Sequence, residues 1–387
     1  MSAAILAINA GSSSLKFALY ADAPELELLG HGEVAGLGGV PRLRARKAGE
    51  AVTERALTGV ADATAALRVA LEWIEEQFPQ IEFRAIGHRI VHGGDRFDAP
   101  VVVDDAILPQ LEALDPLAPQ HQPFNLAAVR ALRARFPQAV PVACFDTAFH
   151  AGWQDSARRI ALPRRFHNAG VRRYGFHGLS YEFLTERLRT LAPGAGRAVL
   201  AHLGNGASVC ATRDGRSVES TMGFSVLDGL PMGTRCGAID PGVIFHLHRQ
   251  FGLDFEQIEH LLYYESGLKG VSAIGADMRD LLASPEVAAR QAVDLFVHHC
   301  VGAIGALTAV LGGIDALVFS GGIGARAPAI RAEICARLEF LGVVVDAQAN
   351  AGDGERISAA ASKVDVFALA TDEEIVIARH CRAVLGV

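Results

Sequence analysis

Two short runs constrain this chain more than any other feature: Asn9-Ala10-Gly11-Ser12-Ser13-Ser14-Leu15-Lys16 and His202-Leu203-Gly204-Asn205-Gly206-Ala207-Ser208. Each lies between apolar, strand-like stretches, Ala4 to Ile8 and Phe17 to Tyr20 for the first, Ala198 to Ala201 and Val209 to Thr212 for the second. A glycine lets the backbone turn tightly with its N–H groups facing inward, while serine hydroxyls and Lys16 add donors and a positive charge. Taken singly, an ordinary Ser/Gly hairpin reads the same way. Recurrence is what favours phosphate handling, because two strand-turn-strand devices predict two halves of similar build serving one polyphosphate. A third turn follows, where Leu317 to Phe319 runs into Ser320-Gly321-Gly322-Ile323-Gly324 and then a helix near Pro328. Such a strand-to-helix glycine turn lets a nucleoside approach the backbone. No G-x-x-x-x-G-K-[ST] occurs, which excludes the P-loop.

With 387 residues the chain exceeds one typical core and is read as two domains. Half of it is apolar and 20% is charged, an α/β profile. The net charge of -7 argues against nucleic acid as a partner, and Arg42 to Lys47 reads as a solvated strand face. Six scattered cysteines without a C-x-x-C pair read as reduced thiols, and no basic region precedes the first apolar run, so a cytoplasmic protein without a signal peptide is expected. Phe296 to Ile314 is membrane-like in composition but carries His298, His299 and glycines, so it reads as a buried helix and no membrane partner is expected.

The first half reads strand, strand, a strand pair (Leu28 to Val34 and Val40 to Arg46), helix, strand, helical segments, strand. Ala63, Leu67, Ala70, Ile74 and Phe78 repeat at helical spacing until Pro79, and strands follow at Ala85 to Val91 and Val140 to Phe145. From about Arg158 the pattern restarts, with strands near Ala198 to Leu203, Ala207 to Thr212 and Arg216 to Glu219. Ser284-Pro285-Glu286 predicts a serine cap and N1 proline for a long helix that Gly312-Gly313 closes. Another helix carries Ile330, Ile334, Leu338 and Leu341 and ends at Gly342. Thr371-Asp372-Glu373-Glu374 reads as a capping box with Thr371 as cap, placing Glu373 at the start of the last helix.

Strand ends are where α/β enzymes place functional groups, and Gly87-His88-Arg89-Ile90-Val91-His92-Gly93-Gly94, Phe145-Asp146-Thr147-Ala148-Phe149-His150 and Tyr174-Gly175-Phe176-His177-Gly178 fit that position. His88 and His92 are four apart, yet the segment alternates like a strand and lacks the glutamate of a zinc helix, so a metal role is not expected. The glycine-rich run Met232-Gly233-Thr234-Arg235-Cys236-Gly237-Ala238-Ile239-Asp240-Pro241 holds a second arginine. Either arginine alone suits a structural ion pair; beside phosphate hairpins, an oxyanion grip is the stronger reading.

Together these segments resemble the acetate kinase family, within the acetate and sugar kinase, heat-shock ATPase and actin superfamily. The resemblance spans nearly the whole chain and also includes Gly322-Ile323-Gly324 and Thr371 to Glu374. It implies a two-domain clamshell of duplicated βββαβαβα-type, ribonuclease H-like or actin-like units, with the active site in the interdomain cleft. Residues 1–150 would form the N-terminal domain, joined by a C-terminal helix of about 372–387, and 151–371 the nucleotide-binding and dimerisation domain. The implied reaction is ATP-dependent phosphorylation of acetate to acetyl phosphate and its ATP-forming reverse. ATP or ADP, Mg2+ (or Mn2+), small-molecule substrates and a homodimer come with it.

The resemblance implies Arg89, Asp146, His177 and Arg235 as the catalytic set and Asn9 and Glu373 near the metal. Ser12, Lys16, His202, Leu203, Gly204, Asn205 and Gly206 would hold phosphates, and Asp277, Met278, Arg279, Gly322, Ile323, Gly324, Ala325 and Arg326 would border the adenosine. A carboxylate nucleophile with a pKa of roughly 4 to 5 is already ionised at neutral pH, so Asp146 is expected to orient magnesium-bound water or an arginine rather than to act as a base. The acyl pocket would comprise Arg89, Val91, Gln120, His121, Phe176 and Val226. This sequence departs from the family pattern at Gln120 and Val226 (usually leucine and proline), Met278 (often aromatic), Ala325-Arg326 (commonly Glu-Asn) and Tyr181 (usually histidine). Propionate or another short-chain acid is therefore an alternative acceptor. A sugar kinase or chaperone-like ATPase of the same superfamily is a more remote one.

Overall fold

The computed structural model describes residues 3–11, 14–37 and 39–387. The chain forms two compact units, Met1–Ala151 with Asp372–Val387, and Gly152–Thr371.

In the first unit β1 (Ala3–Ala10), β2 (Ser14–Ala21), β3 (Leu28–Ala35), β4 (Arg42–Lys47), β5 (Thr53–Ala56), β6 (Glu82–Ile90), β7 (Val101–Val102) and β8 (Val140–Phe145) build one sheet, ordered β5-β4-β3-β2-β1-β6-β8-β7. Short turns join β1 to β5 as an antiparallel meander, while helical crossovers make β1, β6 and β8 parallel. The second unit has β9 (Arg197–Leu203), β10 (Ala207–Arg213), β11 (Arg216–Ser220), β12 (Ala316–Ser320) and β13 (Asp365–Ala368), ordered β11-β10-β9-β12-β13. This is the order β3-β2-β1-β6-β8 over again, so the duplication foreshadowed by the two hairpins is a duplication of sheets. Strands β5 and β7 were not anticipated: β5 is exposed at every residue and so lacks alternation, and β7 has two residues.

Parallel strands bury both faces, and β1 is buried at every position after Ala3. Ile86 joins Leu67, Trp73 and Leu132 in a core beneath the helices Ala63–Gln77 and Gln122–Arg135. Gly87, next along, points to the opposite face, where a methyl would come within 2.3 Å of Ile377 in the last helix, Glu373–Leu385. The glycine is what allows that helix to lie on β6. In the second unit the helix Val287–Leu311 buries Ala289, Val293, Phe296, Cys300 and Ile304, and it packs on β9, β10 and β11. Among the described residues it is the one helix long and apolar enough to cross a membrane, yet this stripe makes it the counterpart of Ala63–Gln77.

Two helix starts differ from expectation. Asp372, not Thr371, caps the last helix, accepting from the Ile375 amide at 3.0 Å. The long helix begins after Glu286; Ser284 instead ends the preceding helix, Met278–Ala283, and its hydroxyl accepts from the Glu286 amide. At the last helix the aspartate, the stronger cap of the two neighbours, takes the amide; at the long helix the N-cap position falls on Glu286, whose side chain makes no capping bond.

Candidate active site

The first unit gathers its polar groups where β1, β6 and β8 end and the last helix begins. Arg89 leaves β6 one residue before its end, on the face already set by Gly87, and Asp146 follows β8. Arg89 Nε donates to Asp146 Oδ1 at 3.0 Å and Nη2 to Oδ2 at 2.6 Å. Its remaining terminal nitrogen, Nη1, donates to Asn9 Oδ1 at 3.0 Å and lies 3.8 Å from Glu373 Oε2. Asn9 in turn donates through Nδ2 to Glu373 at 2.7 Å and Glu374 at 3.3 Å. Asp146 is 1% exposed and Asn9 7%. Burial, then the charge of Glu373, push the Glu374 carboxyl up to about 7, while Lys16 pulls it down. Lys16 itself is exposed on β2. Ser12 lies outside the described residues.

Whether these groups suit a divalent cation is decided by their chemistry. Mg2+ held with substrate phosphates takes one or two protein oxygens and keeps water. Glu373 and Asn9 carry such oxygens side by side, with Asn9 Nδ2 2.7 Å from the Glu373 carboxylate. The donor set therefore fits. No group of three or more His, Cys, Asp or Glu residues that would form a self-sufficient metal site occurs among the described residues.

In the second unit the hairpin between β9 and β10 lies beside the turn after β12, because His202 and Ser320 pair across parallel strands. A methyl on Gly204 would sit 3.6 Å from the Gly322 amide, so the two glycine turns adjoin. Gly321, at φ +75°, passes so close that a methyl would be 2.5 Å from the Leu203 carbonyl. His177 precedes the helix Gly178–Leu191 in the left-handed region, at φ 59°. Its Nδ1 lies 2.8 Å from Ser208 Oγ, and its ring is 4.7 Å from that of His202. Arg235 is anchored by Nη1 to the Val226 carbonyl at 2.9 Å. A methyl on Gly206 would approach His177 Nε2 at 3.3 Å and Arg235 Nη1 at 3.8 Å, so both point across the phosphate-type turn. Asn205 is held to the same loop, its carbonyl accepting from the Gly233 amide at 3.1 Å.

The other anticipated residues are distributed as follows. Asp277 caps Met278–Ala283 and pairs with Arg279, which holds its carboxyl below the usual range. Met278 is 4% exposed and packs inward, presenting little surface to a base. Gly322, Ile323, Gly324, Ala325 and Arg326 form the helix Gly321–Arg326, with Gly324 buried and Arg326 exposed. Of the acyl-pocket residues, Val91 is buried and Gln120 and His121 half-buried in the first unit, while Phe176 and Val226 are buried in the second.

Several supporting residues escaped the sequence reading. Asn125 donates to the Ala10 carbonyl and accepts from the Val91 amide, tying the β1 turn to the end of β6. Buried Gln122 does the same for both backbone groups of His92. Arg331, 2% exposed, donates to the Gly324 and Ala325 carbonyls and to Asn350, fixing the glycine turn from beneath. Only a polar residue on the buried stripe of a predicted helix would have flagged any of them.

Doubled five-stranded order with glycine turns at strand ends defines a two-unit, actin-like α/β fold of the phosphotransferase class. Residues 4–379 match the Acetokinase family. The acetate kinase of Methylocella silvestris is 48% identical over 398 residues, covering 100% of this chain and 98% of that protein. The acetate kinase of Rhodopseudomonas palustris is also 48% identical, with 98% of each chain covered. Among solved structures, a Francisella tularensis propionate kinase superposes with a TM-score of 0.89 at 32% identity, covering 98% of this chain and 99% of that one. Porphyromonas gingivalis acetate kinase gives 0.87 at 33%, covering 99% and 100%. The chain belongs to the acetokinase family, kinases that use ATP and ADP with small-molecule substrates.

Proposed function

We propose that this protein transfers the γ-phosphoryl group of ATP to acetate, giving acetyl phosphate and ADP, and runs the reverse reaction. An anionic carboxylate must meet an anionic phosphate, so the principal tasks are neutralising repulsion and holding the reactants in line. The observation that carries the reading is Arg89, whose guanidinium is fixed by Asp146 and Asn9 before any substrate arrives. Arg89 and Arg235 clamp the carboxylate and the equatorial oxygens, and His177 donates to the transferring group. Asp146 aims the arginine; its two-pronged pairing supports that role over general-base work. Lys16, Ser12 and residues His202 to Gly206 hold the phosphates, and Asp277 to Arg279 with Gly322 to Arg326 border the adenosine.

Magnesium, when bound, screens the phosphate charge, and Glu373 and Asn9 are the residues that would hold it. The protein acts as a cytoplasmic homodimer; its free thiols support the compartment. Exposed Phe245, Phe251 and Phe255 on the second unit support the association, which light scattering would test by mass.

Hydroxamate formation from ATP, magnesium and hydroxylamine, with formate, acetate, propionate and butyrate compared, tests the assignment. A maximum at acetate supports it. A maximum at propionate or butyrate would assign the second reading, a longer-chain acyl kinase, which the half-buried Gln120 favours as a polar side chain where the family pattern usually has leucine. Silence across all four acids would overturn both.

A further inference from the structure

His177, Ser208 and Tyr181 form a hydrogen-bonded chain, of which the phosphoryl-transfer reading uses His177 alone. Ser208, wholly buried on β10, lies with its Oγ 2.8 Å from His177 Nδ1 and 2.5 Å from the Tyr181 hydroxyl. Tyr181 comes from the first turn of Gly178–Leu191 and is 0% exposed. The three are therefore locked by the start of one helix and the strand beneath it.

Ser208 has one proton and two neighbours. A phenol, with a pKa of about 10, is a far stronger hydrogen-bond donor than an aliphatic alcohol, and the alcohol oxygen is the better acceptor. When Tyr181 donates to Ser208, the serine proton turns to His177 Nδ1. A neutral imidazole that accepts at Nδ1 carries its proton on Nε2. Nε2 is also the nitrogen that faces Gly206, alongside Arg235 Nη1.

We propose that Tyr181 is a positioning residue that, through Ser208, holds neutral His177 as the Nε2–H tautomer, so that its single donor points across the phosphate turn. The inference rests on His177 being the donor to the transferring group. It is particular to this chain, since position 181 is where the family pattern usually has histidine. Without the phenol, the Ser208 hydroxyl can accept from Nδ1–H as easily as it donates to Nδ1, and half the histidine population then presents a lone pair to the phosphate.

The test is long-range 1H–15N NMR of the full chain labelled at histidine, at about pH 8 where imidazole is neutral, with His177→Gln identifying the signal. Wild type should show the Nε2–H pattern, and Tyr181→Phe and Ser208→Ala should each show mixed tautomers. In Tyr181→Phe, kcat should fall about twofold, in step with the tautomer fraction, with KM for ATP and acetate unchanged, a split that general loosening of the fold would not give. An Nδ1–H wild type, or a tautomer indifferent to both variants, overturns the proposal. If the tautomer shifts as expected but His177→Gln keeps full activity, the relay stands and the catalytic reading of His177 fails.

Discussion

Arg89 and Asp146 meet in a two-pronged pair, Nε on one carboxylate oxygen at 3.0 Å and Nη2 on the other at 2.6 Å. A guanidinium so gripped has lost its rotamer freedom before binding, and its third edge, Nη1, is turned to Asn9 and Glu373. Pre-organisation of this kind makes a charge effective in transfer, because nothing must reorganise when the charge develops. Arg89→Ala should lower kcat by about 10² to 10³-fold. Asp146→Asn, which keeps the shape and loses the charge, should cost a similar factor; if its kcat stays near wild type, the aiming role is wrong.

Gly87→Ala tests how the last helix reaches the site. The new methyl would fall 2.3 Å from Ile377 Cγ2 and 2.6 Å from Cys381 Sγ, forcing the helix that carries Glu373 off β6. Overpacking of this kind costs about 1 to 3 kcal/mol, and thermal melting should show it. Activity should fall as well, although position 87 touches no reacting group.

Gly321 and Gly322 are adjacent but not equivalent. Gly321 has φ +75° and would place a methyl 2.5 Å from the Leu203 carbonyl, so Gly321→Ala should destabilise by about 2 to 4 kcal/mol. At Gly322 a methyl meets nothing within 4 Å, so Gly322→Ala should change stability by less than about 0.5 kcal/mol. It should still raise KM for ATP if the nucleotide approaches this turn. Denaturant titration and nucleotide kinetics on both variants separate folding from binding.

His88 sets an acid limit on stability. Its ring is buried, neither nitrogen has a hydrogen-bond partner, and burial pulls its pKa down to about 3. A group whose folded pKa is depressed contributes stability that is present above its unfolded pKa, about 6.5, and lost as pH falls toward the folded value. Wild-type stability should therefore decline between about pH 6.5 and pH 3, by up to about 1.4 kcal/mol per pH unit from this residue. His88→Leu, which also removes two unsatisfied polar atoms, should flatten that limb. Chemical denaturation at a series of pH values measures the difference.

Much was legible in the residues themselves. Glycine-serine turns between apolar runs gave both hairpins, helical spacing gave Ala63–Gln77, and Gly312 marked the end of Val287–Leu311 in the left-handed conformation expected of it. Glycine and proline act through the local backbone, so their meaning survives without a fold. The starts of Val287–Leu311 and Glu373–Leu385 differ from expectation because Ser284 and Thr371 carry cap chemistry only one or two residues from the true start, and only the settled backbone decides which residue leaves the helix.

What sequence alone determined is the repeated turn chemistry, the periodicity of the main elements and the residue types available for binding an oxyanion. Tertiary structure decided the partnerships: that the last helix returns to the first sheet, that Asn9 bridges Arg89 and two glutamates far along the chain, and that Tyr181 reaches Ser208. The physical reason is range. Backbone preferences are set by neighbours in sequence, whereas a hydrogen bond between side chains exists only once burial has removed water and packing has brought donor and acceptor within about 3 Å.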